Sequence, residues 1–271
     1  TTVVTLEKDC KYLKLRTTLT NEIRDHKLTV NFPSYVETDW VKSESAWDIA
    51  TRTIKWRDHK DNFEGFVPFQ PMQNFVDVSS DDRGYAVMTK GLREYEIADD
   101  KERTIKITLI RTQRAYMTAN SKMTYEELDQ YIGQHSFGKL TYEYALYPHK
   151  GNEKAADVLA NAYANKICVK AIQGVVMDGI LPDTASLISI SPEKNVLISA
   201  IKQSENGDGI ILRVWNTTDD IQALKISTIL PIKSVERVQL NERFIEKIAF
   251  ADGKFEMDLL PHKIETFLLK Y

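Results

Sequence analysis

From Phe75 to Arg114 the chain alternates apolar and polar positions in short runs separated by Asp, Gly and Lys punctuation. The runs are Phe75-Val-Asp-Val, Tyr85-Ala-Val-Met, Leu92-Arg-Glu-Tyr-Glu-Ile97 and Thr104-Ile-Lys-Ile-Thr-Leu-Ile-Arg111. β-branched and aromatic residues in period-two runs, broken by turn residues, predict antiparallel strands joined by tight turns. Side chains alternate across a strand, so Ile105, Ile107 and Leu109 are expected on one face and Lys106, Thr108 and Ile110 on the other. By the same rule Glu94 and Glu96 share a face, with Tyr95 opposite. This is the densest β signal in the chain and is expected to build its central sheet.

The flanks read the same way. Val3–Leu6, Tyr12–Leu19 and Lys27–Phe32 are expected strands, the last stopped by Pro33. The text from Tyr35 to Ile54 is mixed, and Trp40, Trp47 and Trp56 are expected to supply large buried surfaces. Residues 62–72 form a loop punctuated by Pro and Gly and rich in aromatics. Thr124–Ile132 predicts a short helix, with Thr124 and Glu127 at capping-box spacing. Leu140–Tyr147 predicts a strand with Tyr142, Tyr144 and Leu146 on one face, ended by Pro148. Lys154–Lys166 has weak periodicity and fits a helix or an irregular segment. After Gly179 the text is nearly all β. Asn206-Gly207 marks a hairpin turn between Val196–Lys202 and Ile210–Asn216, and short strands follow over Leu224–Leu230, Val235–Leu240, Phe255–Leu259 and Ile264–Leu269. Their regular spacing predicts a sandwich, and the boundary between two domains, 1–178 and 179–271, is placed there.

Composition narrows the classes. At 271 residues the chain is long enough for two cores. A net charge of −3, with Lys and Arg dispersed among acids, gives no basic surface for nucleic acid. No apolar run reaches the length of a membrane span. Cys10 and Cys168 are the only cysteines and are expected as small buried hydrophobes in a reducing, cytoplasmic setting. The first residues lack a charged leader and an initiator Met, which reads as a piece of a longer chain.

Candidate chemistry is sparse. The histidines are His26, His59, His135, His149 and His262. None forms a His-x-His or His-x-x-x-His pair. His59-Lys-Asp61 is a His-x-Asp in a charged run that reads as a solvated turn. No nucleophile elbow or phosphate-binding Gly-rich loop occurs. Acids crowd one region: Asp77, Asp81, Asp82, Glu94 and Glu96, with Arg83 and Arg93 beside them. Carboxylates with aromatics suit sugars, which offer hydroxyls to acids and C–H faces to rings, although solvated turn charges explain most of these residues. Arg83 is expected to point into a site, because the adjacent Gly84 permits close approach to the backbone.

Several stretches carry a family likeness. Phe75-Val-Asp-Val, Asp82-Arg-Gly-Tyr-Ala86, Gly91-Leu-Arg-Glu-Tyr-Glu96 and Thr108-Leu-Ile-Arg111 resemble the C-terminal half of glycoside hydrolase family 38. So do Asn21-x-x-x-Asp25-His-Lys-Leu28, Tyr142-Glu-Tyr-Ala-Leu-Tyr-Pro-His149, Leu197–Lys202, Gly209–Asn216 and His262–Phe267. These are the retaining α-mannosidases, including mannosylglycerate hydrolases. The resemblance implies an all-β chain: a large antiparallel, galactose-mutarotase-like supersandwich followed by a smaller C-terminal β-sandwich. It implies no catalytic and no metal-binding residue here, since the zinc ligands and the nucleophile belong to an absent N-terminal catalytic domain. His59-Lys-Asp61 is accordingly a chance match to that domain's His-x-Asp. The implied partners are that domain and a mannoside or oligosaccharide, with no nucleic acid and no membrane; a homo-oligomer is left open. Asp82, Arg83 and Glu94 are the substrate-proximal candidates. Two rivals remain. One is a free-standing carbohydrate-binding module stacking sugars on Phe63–Phe75. The other is a mutarotase-like enzyme, which needs His and Glu converging in a concave site.

Overall fold

The computed structural model describes residues 1–55, 67–113, 124–128, 130–175, 179 and 182–271. His59-Lys-Asp61, Trp56 and residues 62–66 of the aromatic loop lie outside them. The chain divides into two compact units, Thr1–Val169 and Lys170–Tyr271.

In the first unit the strands are β1 (Thr2–Thr5), β2 (Leu13–Asn21), β3 (Lys27–Phe32), β4 (Trp40–Ser45) and β5 (Asp48–Thr53). After these come β6 (Phe69–Pro71), β7 (Phe75–Ser79), β8 (Arg83–Thr89), β9 (Glu94–Ile97) and β10 (Ile105–Arg111). A short helix α1 (Tyr125–Leu128) and a 3-10 turn (Ile132–His135) lead into β11 (Gly138–Lys150), and helix α2 (Val158–Lys166) follows. The strands form a seven-stranded sheet, in the order β1-β2-β11-β8-β7-β4-β5, and a four-stranded sheet, β3-β10-β9-β6. All pairings are antiparallel. Burial of the alternating faces explains the stacking. Leu15, Val76, Val78, Val87 and Tyr144 from one sheet and Tyr95, Ile97, Ile105 and Ile107 from the other share a single apolar core.

The run from Phe75 to Arg111 is therefore two hairpin-like pairs in two sheets, not one central sheet. β7 pairs with β8 in the larger sheet, whereas β9 pairs with β10 in the smaller. The chain crosses between them at Gly91, whose φ of 91° suits glycine. In β10 a bulge between Thr108 and Ile110 breaks the register on β3. That bulge lets Leu109 pack on the shared core while Ile110 is buried as well. The capping box forms as expected: Thr124 N–H donates to Glu127 Oε2 (2.7 Å), and Glu127 N–H to Thr124 Oγ1 (3.3 Å).

Other expectations are corrected. Pro148 does not end its strand; β11 runs on to Lys150, with Pro148 opposite Tyr85. Pairing with β2 stops at Leu146, so the proline lies where β11 has an open side, and a missing N–H is tolerated there. Tyr35–Ile54 contains the β4–β5 hairpin, turning at Ala46-Trp47 with Trp47 at φ 56°. Trp40 and Trp47 are exposed rather than core. Cys168 is exposed and Cys10 half-buried, and both are free thiols.

The outer face of the seven-stranded sheet is closed by the segment after β11. Val158 and Ala162 of α2 pack on Phe75, Ala86, Met88, Ala145 and Tyr147. Polar groups pin the same cover. Lys42 Nζ donates to Glu153 Oε1 (2.6 Å), and Tyr163 Oη donates to Glu44 Oε1 (3.0 Å). Burial pushes the Glu44 carboxyl up, and burial beside that carboxylate raises the Tyr163 phenol. At the start of the cover, His149 Nε2 donates to Asp77 Oδ1 (2.8 Å) and Nδ1 to the Gly151 carbonyl (3.1 Å). Both ring nitrogens thus face oxygens that accept, a geometry that calls for the imidazolium. Ser79 Oγ donates to the other Asp77 oxygen at 2.6 Å. The His149 and Asp77 side chains are 2% and 0% exposed. The ring fits only because residue 84 is glycine, since a Cβ there would sit 2.2 Å from His149 Cε1.

In the second unit the strands are β12 (Ile188–Ser191), β13 (Val196–Gln203), β14 (Gly209–Asn216) and β15 (Gln222–Thr228). The last four are β16 (Ser234–Val238), β17 (Phe244–Ile248), β18 (Lys254–Leu259) and β19 (Ile264–Lys270). They form a three-stranded sheet, β12-β15-β18, and a five-stranded sheet, β13-β14-β19-β16-β17. Phe255 and Phe267 meet edge-on between them, centroids 4.9 Å apart, amid Val196, Leu212, Val214, Leu224 and Leu259. The hairpin turn at Asn206-Gly207 is as expected, with Gly207 at φ 75°.

Two outcomes follow from the buried pair. Gly84→Ala is expected to lower unfolding free energy by about 1–3 kcal/mol or more, as overpacking does, in urea denaturation. Protonated His149 is stabilised by the bond and charge of Asp77 despite its burial, so its pKa is raised in the folded state. A raised histidine contributes stability that is fully present below its ordinary range and is lost as pH rises through the folded value. Urea unfolding at stepped pH should show that decline from the ordinary histidine range upward, and His149→Gln should remove it.

Candidate functional site

The Asp81–Gly84 turn is a compact structure built on Ser80. Ser80 N–H donates to the Arg83 carbonyl (2.9 Å), while Ser80 Oγ accepts from Arg83 N–H (3.3 Å). The turn is tied to the outer cover through Gly151 N–H, which donates to the Asp82 carbonyl at 2.7 Å. Asp82 and Arg83 are both exposed. Arg83 Nη2 donates to the Tyr35 carbonyl (2.7 Å). The close approach that Gly84 allows is used by the His149 ring, not left open for a ligand.

Arg83 opens onto a polar crevice of about 530 Å³, lined also by Tyr35, Glu37, Asp99, Asp100, Lys101 and Arg103. The turn after β9 forms its far wall. Arg103 fixes that turn by donating from Nη1 to Asp99 Oδ1 (2.6 Å) and from Nε to the Thr38 carbonyl (2.9 Å). Burial works against the Asp100 charge, but donors from Thr104 N–H and Oγ1 hold its carboxyl below the usual range. Tyr35, at φ 53°, places its phenol on Glu102. The crevice thus presents cations and carboxylates side by side, a surface that can donate to and accept from a polyol.

Glu94 is not part of that crevice. It sits at the opposite end of β9, where its carboxylate accepts from Thr108 Oγ1 (2.7 Å), Arg111 Nη1 (2.8 Å) and Lys27 Nζ (3.1 Å). Partial burial opposes its ionisation, yet these donors win and its pKa is lowered. Lys27 and Arg111 also lie over the Phe69 ring, 4.4 and 5.1 Å from its centroid. Glu96 pairs with Lys106 at 2.8 Å. Of the three candidates Arg83 alone lines the crevice; Asp82 is exposed beside it, and Glu94 lies in a separate ion cluster. Asp77, grouped with these acids by sequence, is buried against His149. Phe75, at the end of the aromatic loop, is in the core and offers no stacking face.

Sequence reading missed the His149–Asp77 pair. The Pro148-His149 text and the glycine at 84 were visible, but only strand pairing sets His149 opposite Gly84. Among the described residues no group of three or more His, Cys, Asp or Glu could hold a metal ion, and no helix is long and apolar enough to cross a membrane. With both of its nitrogens engaged, His149 has no free donor atom for a metal.

Comparison with known proteins matches two stretches of the chain to one family. Residues 1–115 match the model of the glycosyl hydrolases family 38 C-terminal domain, and residues 195–267 that of the family's C-terminal beta sandwich domain. A putative mannosylglycerate hydrolase of Halalkalibacterium halodurans is 28% identical over 98% of this chain, which spans 28% of that protein. An alpha-mannosidase of Saccharomyces cerevisiae is 22% identical over 93% of the chain, which spans 23% of it. The crystal structure of an alpha-mannosidase from Enterococcus faecalis V583 shares the fold, with a TM-score of 0.80 at 24% identity, over 99% of this chain and 28% of that one. The chain therefore spans about a quarter of the length of the relatives it matches. Two C-terminal models of one family, in chain order and together covering more than half of the residues, show that the chain belongs to glycosyl hydrolase family 38 as part of its C-terminal β region.

Proposed function

We propose that this chain is the non-catalytic C-terminal β region of a retaining, zinc-dependent α-mannosidase. In that reading it packs on an N-terminal catalytic domain that supplies the zinc and both catalytic carboxylates. The observation that carries it is one of coverage: relatives named as glycosidases match this chain almost end to end, yet are roughly four times as long. The disposition of the acids supports it. Asp77, Glu44, Glu94 and Glu153 each hold a structural partner, so none stands ready as a nucleophile or a general acid.

The Asp82-Arg83 turn is the part of the chain that we assign to the wall of the sugar site. It is exposed and backbone-locked, and its Arg83 lines a crevice with donors and acceptors of both signs. Glu94 joins the proposal as the residue that orients Lys27 and Arg111. The substrate class is a mannoside or a mannose-containing oligosaccharide. Two free thiols agree with a reducing compartment, and a cytoplasmic location is part of the same reading.

The test is enzymatic. The chain alone, supplied with zinc, should release no aryl leaving group from an aryl α-mannoside, whereas the complete parent protein should. Zinc-dependent turnover by the chain alone overturns the reading. In the parent, Asp82→Ala or Arg83→Ala should lower kcat/KM about tenfold, the scale of one lost polar contact near 1.4 kcal/mol. An unchanged kcat/KM in both variants removes the turn from the sugar site.

A further inference from the structure

On the side of the first unit away from β1, both of its sheets end in edge strands: β5 closes one and β6 the other. Between them lies a recess of about 310 Å³, whose lining includes Trp40, Thr51, Arg52, Pro68, Gln70 and Tyr95. That volume is at the small end for ligand sites and suits a small molecule, not a chain segment.

Arg52 is the unusual member. Its Nη1 donates to Ser43 Oγ (2.7 Å) and to Tyr95 Oη (3.3 Å). Among the described residues no carboxylate pairs with it, and Nε and Nη2 have no acceptor. Arg103, Arg111 and Arg237 each have a carboxylate partner. A half-buried guanidinium held by two hydroxyls, with no counter-charge among the described residues, leaves its planar fork incomplete. Tyr95 is 1% exposed, and its hydroxyl accepts from Arg52, so its own proton remains to be donated. Gln70 Nε2 donates to the Val67 carbonyl (3.4 Å), which leaves Oε1 as an acceptor. Fork, phenol and amide carbonyl therefore meet at one small recess.

We propose that this recess binds a small hydroxy acid, its carboxylate on Arg52 and Tyr95 and a hydroxyl on Gln70. A carboxylate supplies the missing charge and up to four lone-pair positions in a plane that matches the fork. The site lies wholly within this chain and is distinct from the crevice at Arg83. Its failure would leave the family assignment and the proposed glycosidase role untouched.

Titration of the isotope-labelled chain with D-glycerate, inorganic phosphate and glycerol, followed by NMR, tests the proposal. Glycerate should bind saturably in the millimolar range, shifting the Arg52 Nε–H resonance, while glycerol leaves that resonance unmoved. Arg52→Gln should weaken glycerate binding at least about tenfold, and Arg52→Lys by a similar factor, because lysine keeps the charge but loses the fork. Tyr95→Phe removes one donor with little change of volume and should weaken binding by a smaller factor. It also serves as the deciding variant if Arg52→Gln does not fold. Absence of saturable glycerate binding overturns the proposal. So does phosphate binding without glycerate binding, or glycerate affinity that neither the Arg52 nor the Tyr95 substitution changes.

Discussion

The His149–Asp77 pair, buried beneath the cover on the seven-stranded sheet, is the contact on which the first unit depends. Three separate stretches of sequence must agree for it to exist. Strand β7 supplies the acid, β11 supplies the ring, and Gly84 on β8 leaves the gap that the ring fills. A buried ion pair of this kind is not a large net source of stability, because desolvation offsets much of the attraction. Its importance is that either partner alone is costly, so it fixes one register of three strands. The chain beyond β11 is then delivered to the outer face, where α2 closes the sheet and Glu153 reaches Lys42.

Several of the acids that the sequence groups together are committed to the fold itself. Asp77 and Glu44 lie under the cover, Glu153 ties the cover to Lys42, and Glu94 and Glu96 are paired with cations on the smaller sheet. Among the polar concavities of the described residues are the crevice at Arg83 and an edge recess around Arg52.

Much of the fold was legible in the sequence, for reasons that particular elements make plain. The limits of β3 and the β13–β14 hairpin follow from alternation and from Asn206-Gly207. The capping box at Thr124 follows from spacing alone. What was not legible depends on partners distant in the chain. Nothing local says that β8 and β9 belong to different sheets, since β11 and β3 decide it. The β4–β5 hairpin was hidden because its turn is Ala46-Trp47, without Asn or Gly, and because Ser43 and Glu44 are buried where apolar residues are the rule. Exposed Trp40 and Trp47 break that rule in the other direction. At the candidate site, Asp82 and Arg83 could be picked from their turn, but the separation of Glu94 from them required the two-sheet arrangement.

The buried Asp77–His149 pair holds the strands of the first unit in one register. A double-mutant cycle on urea unfolding, with Asp77→Asn, His149→Gln and the double variant, measures it most directly. We expect a coupling of about 1–3 kcal/mol at pH 6, with each single variant clearly destabilised. Single variants as stable as the parent chain, with no measurable coupling, would contradict the account.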